Sequence, residues 1–294
     1  MGLFFSSDRF TRPGPGVRPD APRKKGVARL AEIMGRDMWN FFRAGFLAFL
    51  GCLPFIIGMF FAVETHALLF MLLAGIIGGL IAGPELSAMA DTVLRSLRDE
   101  PGYWWETYRR VWKRNARESL VPGMLTGLVL SMQIFTLFHM SVINADIVTW
   151  ALLILSFVVT LGLESYIWPQ IALLDLPLYG ILKNSLLLFL GYLPRSLGAI
   201  AIKAVYWGAI LLFFPLTTII LPFTNFWLPM LPALLCIYQP LNKCFTIEST
   251  INKMREDELN AALAKDNEPL PEAPTEKAEE STEASSDDSS PDVQ

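Results

Sequence analysis

The residues of this chain with most chemistry to offer are charges set inside apolar stretches: Arg43, Glu85, Glu164 and Lys203. A carboxylate in hydrocarbon can carry a proton or hold a cation, and an unpartnered charge costs at least ~2.5 kcal/mol at a helix centre, less toward the interface. Counted from the Lys/Arg-rich ends of their segments, all four fall at similar depth. That placement makes Arg43 with Glu85 and Glu164 with Lys203 candidate inner-leaflet ion pairs. Two roles fit such pairs: a structural or snorkelling network, or a substrate or proton path.

Other chemistry is missing. His66 and His139 lie on different segments near the opposite end, without a further nitrogen or thiol at metal-ligand spacing. Cys52, Cys236 and Cys244 form neither a disulfide framework nor a metal motif. There is no phosphate-cradling glycine loop and no nucleophile elbow. The reading is a protein that is not an enzyme, with no catalytic, cofactor-binding or metal residues to assign.

The elements that hold the four charges are long apolar helices. With 53% hydrophobic residues and a mean hydropathy of +0.42, the expected class is an all-α polytopic membrane protein. About six transmembrane helices are expected, at 41–63, 67–90, 119–143, 148–172, 197–221 and 226–242. An interfacial or re-entrant helix is expected over 176–194, where the apolar core is too short to cross. A basic segment, 1–38, precedes the first span, and an amphipathic loop, 91–118, joins the second to the third.

Positive charge fixes the expected orientation. Asp91 to Leu120 carries seven Lys and Arg residues, whereas the 62 residues between Leu120 and Lys183 carry none. Lys and Arg collect in loops on the cytoplasmic side, so both termini are expected to be cytoplasmic in a plasma membrane. Residues 255–294 hold 13 acids and 3 bases with little aliphatic content, and a disordered acidic tail is expected there. The remaining, net-basic body implies attraction to an anionic inner leaflet rather than to nucleic acid.

Two patterns point to contacts. Gly75, Gly79 and Gly83 recur every four residues, a ridge that lets a second helix approach to backbone distance, either within the chain or in a homo-oligomer or partner. In the loop after the second span, Trp104, Tyr108 and Trp112 share the same spacing, beside Arg109, Arg110 and Arg114. Aromatic rings next to cations suit an interfacial helix on anionic headgroups, or a docking surface for another protein.

Several of these residues resemble one family. Met1-Gly2-Leu3-Phe4, Arg12-Pro13-Gly14-Pro15-Gly16-Val17 and Asp20-Ala21-Pro22-Arg23-Lys24-Lys25 are similar to the start of the YesL-like proteins, bacterial multi-pass membrane proteins of unknown function. Gly51-Cys52-Leu53-Pro54, Ala82-Gly83-Pro84 with Ala88, Arg98-Asp99-Glu100-Pro101-Gly102-Tyr103 leading to Tyr108 and Asn115, Leu182-Lys183-Asn184-Ser185 and Leu193-Pro194-Arg195 follow in the family's order. The resemblance covers roughly residues 1–250 and supplies no catalytic residues. Because such proteins are often encoded near carbohydrate-uptake and glycan-degradation systems, it implies an accessory or regulatory role there, with sugar-transport subunits as possible partners. A permease-type subunit is the alternative: the helix ending at Leu193-Pro194 resembles the coupling segment of import permeases. The Glu-Ala-Ala element expected upstream is replaced by Leu174-Asp175-Leu176.

Overall fold

The computed structural model describes residues 23–266 apart from Pro101 and Ile143. The first 22 residues, which carry the start of the family resemblance and part of the basic segment, and residues 267–294 of the expected tail lie outside the described residues. Among those described, every regular element is a helix. They are α1 (Gly26–Thr65), α2 (Leu68–Arg98, with one wider π turn at Ala74–Gly78), α3 (Trp104–His139), α4 (Ile147–Leu173) and α5 (Leu178–Gly191). Then follow α6 (Leu193–Leu212), α7 (Thr217–Thr224), α8 (Trp227–Phe245) and α9 (Ile247–Asp266). Five of them, α1 to α4 and α6, are long and apolar enough to cross a membrane. The protein is an all-α polytopic membrane protein.

The long helices overrun the expected spans. At ~1.5 Å per residue the 40 residues of α1 measure about 60 Å, twice the ~30 Å hydrocarbon layer. The expected loop 91–118 is mostly helix: α2 continues to Arg98 and α3 starts at Trp104. Trp104 and Arg109 therefore belong to the start of a crossing helix and not to a separate interfacial one, and Tyr103 directly precedes it. α5 has only 14 residues. Toward the tail, residues 255–266 continue helix α9, and its residues from Ser249 onward form a unit of their own.

Close packing places α2 between α1 and α3. A methyl group added at Gly79 would fall on the carbonyl oxygen of Gly123, one at Gly83 on that of Ser119, and one at Gly75 on the Ser131 hydroxyl. The reverse holds for Gly123 and Gly127 against α2. The glycine ridge is thus occupied by α3 of the same chain, which leaves no room there for a partner helix. On its other side α2 meets α1, where a methyl at Gly78 would lie 2.6 Å from Phe55 Cα and one at Gly58 2.7 Å from Ala74 Cβ. Without a hydrophobic drive between helices in lipid, such backbone-distance van der Waals contact holds the helices together.

Candidate functional site

The Lys/Arg-rich end of the bundle is built on Asp99. This residue follows α2 in the left-handed conformation (φ 60°), a conformation Asp tolerates better than most side chains. Arg23 Nε at 3.1 Å, Arg29 Nη2 at 2.7 Å and Arg36 all reach its carboxylate. The same three arginines donate to the terminal carbonyls of α2, at Arg98 (3.1 Å), Leu97 (3.1 Å) and Ser96 (2.7 Å). Cations at a helix C-terminus satisfy free carbonyls and oppose the helix dipole. Partial burial pushes the Asp99 carboxyl up, but hydrogen bonds from Arg36 and Arg29 outweigh it and hold it below the ordinary carboxylate range. The described part of the basic segment thus locks the start of α1 to the end of α2.

Three side chains fasten the first half of α3. Tyr108 Oη donates to Glu85 at 2.5 Å and Trp112 Nε1 donates to the other oxygen at 2.9 Å. Arg114 Nη2 donates to the carbonyl of Ala172 at 2.8 Å, in the last turn of α4. These contacts correct two expectations. In the Trp104–Tyr108–Trp112 stripe Tyr108 is only 4% exposed, although Trp112 keeps 36%. Glu85 does not pair with Arg43, because Gly51 is what faces Glu85. Gly51 lies eight residues, or about 12 Å, along α1 from Arg43. Arg43 instead lies over the Trp39 and Trp104 rings, 5.0 and 5.7 Å from their centroids, a cation–π arrangement.

Not every side chain at the start of α3 is held in this way. Tyr103 (86% exposed) and Trp105 (57%) stand out from the body, and Arg109 and Arg110 are exposed beside them. Arg110 keeps a 3.4 Å link to Glu106 on the same helix. A rigid helix with exposed aromatic rings and guanidinium groups has the composition of a protein-binding hot spot. Next to it, Arg36, Asp37, Arg95, Glu100, Trp104 and Thr107 line a cleft of about 300 Å³.

Within the bundle, Glu164 and Lys203 attract one another through charge but form no ion pair within 4 Å among the described residues. Lys203 Nζ donates to Ser165 Oγ at 2.9 Å. Burial forces such satisfaction, since an unbonded polar group in a low-dielectric interior is costly. Gln170 Nε2 donates to Ser185 at 2.8 Å and Tyr166 meets Ser196 at 2.8 Å, so α4 is joined to α5 and α6 by polar contacts.

At the opposite end the structure brings together the two histidines that sequence left apart. His66 Nδ1 and His139 Nε2 are 2.6 Å apart, and His139 Nδ1 lies 2.7 Å from the Phe135 carbonyl. Because that carbonyl can only accept, His139 carries a proton on Nδ1, and its Nε2 shares a hydrogen bond with His66 Nδ1. The hydrogen bond ties the α1–α2 turn to the end of α3. No group of three or more His, Cys, Asp or Glu side chains suited to a metal occurs among the described residues. Comparison with protein-family models, curated proteins and solved structures gives no match.

Proposed function

We propose that this protein is a non-enzymatic accessory or regulatory subunit of the bacterial plasma membrane, associated with carbohydrate uptake and docking a partner subunit on the outward face of α3. The observation that carries the reading is the division of labour on that helix. Tyr108, Trp112 and Arg114 hydrogen-bond to the body, while Trp105, Arg109 and Arg110 on the helix and Tyr103 just before it are exposed. A pre-organised face loses little side-chain freedom on binding. The charge bias supports placing it in the cytoplasm with both termini, where Arg and Lys also favour the anionic leaflet. The resemblance to YesL-like proteins supports the link to carbohydrate uptake and the choice of sugar-transport subunits as partners.

The test is purification in mild detergent of the wild-type chain and of a Trp105→Ala, Arg109→Glu, Arg110→Glu variant. Sugar-transport subunits should accompany the first in fixed ratio and be lost from the second. A permease-type role is the second reading, favoured by the buried Lys203 and the Glu164 charge inside the bundle. Sugar uptake by proteoliposomes holding this chain alone would select it.

A further inference from the structure

Helix α6 has the length of a crossing helix but not the position of one. Beyond its midpoint, Tyr206 Oη meets Thr224 Oγ1 at 2.9 Å and the Trp207 ring lies 5.2 Å from that of Phe226. The segment they touch is itself packed on α1 at a defined level. Phe223 stacks on Phe42 and Trp227 on Phe41, both at 5.9 Å between ring centroids, and Asn225 fills the space left by Gly45. From Gly45 to the turn at His66, α1 has about 30 Å still to run at ~1.5 Å per residue, a full hydrocarbon thickness. Thr217 Oγ1 bonds back to the Ile210 carbonyl at 2.7 Å, and α7 has only eight residues, about 12 Å. The turn after α6 therefore ends near mid-depth at most.

We infer that α6 and α7 form a half-membrane hairpin whose apolar tip is embedded in the acyl chains of the leaflet on the Lys/Arg-rich side, so that the chain crosses the bilayer four times. Leu211, Leu212, Phe213, Phe214, Leu216 and Ile219, each more than half exposed, are the surface those chains cover. On α1, a crossing helix, Phe46 and Leu50 are exposed apolar residues as well. In water a contiguous patch of this kind would drive association. The break between α7 and α8 obeys the rule that irregular backbone at membrane depth must be satisfied by protein. Asn225, fully buried, donates through Nδ2 to the Pro222 carbonyl at 3.0 Å and accepts from the Trp227 N–H at 3.3 Å. Four crossings and six are both even, so the charge bias places both termini on one side in either case.

The experiment introduces Leu216→Cys at the tip, Ile220→Cys as a second probe of the same hairpin, and Ser141→Cys in the α3–α4 turn as a water-exposed control. Each full-length chain is treated with a membrane-impermeant maleimide in intact cells and in inside-out vesicles, and the native thiols' signal is subtracted. Ser141→Cys should label from one side only. Leu216→Cys and Ile220→Cys should label from neither side, at less than about a tenth of the control, because thiolate formation needs water. Both should react fully after denaturation in SDS. Labelling of Leu216→Cys from the Ser141 side would mean that α6 crosses, and labelling from the other side would put the tip in water. Either result overturns the inference. Should Leu216→Cys fail to accumulate, Ile220→Cys reads the same three outcomes.

Discussion

Gly79 of α2 and Gly123 of α3 face one another so closely that a methyl group at either would strike the other's carbonyl oxygen. The two helices meet through backbone, and neither position can hold a side chain without moving them apart.

Gly79→Ala is therefore expected to destabilise the detergent-solubilised protein by about 1–3 kcal/mol, the range for overpacking a close contact, and Gly79→Leu by more. Thermal unfolding followed by size-exclusion chromatography with light scattering checks this. A lower melting temperature at unchanged mass is expected. A change of mass with unchanged melting would place the ridge between subunits.

The Glu85–Tyr108 bond gives a second expectation. Hydrogen bonds to charged groups contribute about 1.5–3 kcal/mol, so Tyr108→Phe should lower stability by roughly that amount. In a double-mutant cycle with Glu85→Gln the losses should be strongly non-additive. Additive losses would mean that the two side chains are not coupled.

The small-residue ridge on α2 was legible in sequence because helical spacing alone puts Gly75, Gly79 and Gly83 on one face. Its partner face, Gly123 and Gly127, carries the same spacing but was hidden by the apolar run around it. The pairing of charges was not legible: counting puts Arg43 and Glu85 at one depth, yet Glu85 faces Gly51, eight residues along α1, and bonds to α3. Nor does hydropathy reveal that α6 turns back beside Gly45, because a helix lying in one leaflet and one spanning two bury the same kinds of residue. The Asp99 cluster escaped notice because its arginines come from 63 to 76 residues away.

That cluster sets an acid limit. The Asp99 carboxyl is held below its ordinary value when folded, so its contribution to stability is fully present above the ordinary carboxylate pKa of ~3.9. It is lost as pH falls through the lower folded value. Asp99→Asn should reduce stability at neutral pH and flatten its dependence on pH below about 4. Parallel acid curves for the variant and the parent would show that the carboxylate is not what the arginines hold.

For Glu164 and Lys203, either charge removed alone leaves the other without its nearest counter-charge. Lys203→Met and Glu164→Gln should each destabilise, and the double variant should recover part of the loss. Unfolding in detergent reads the coupling, and strict additivity would rule it out.

The central claim is that the outward face of α3 docks a subunit of a sugar-uptake system. Quantitative co-purification compares the wild-type chain with the Trp105→Ala, Arg109→Glu, Arg110→Glu variant at matched expression, melting temperature and mass. The expected result is sugar-transport subunits in fixed stoichiometry with the wild type and at least a tenfold loss with the variant, since charge reversal at two contacts is worth ~1.4 kcal/mol or more. Equal recovery of those subunits with both chains, or none with the wild type, would contradict it.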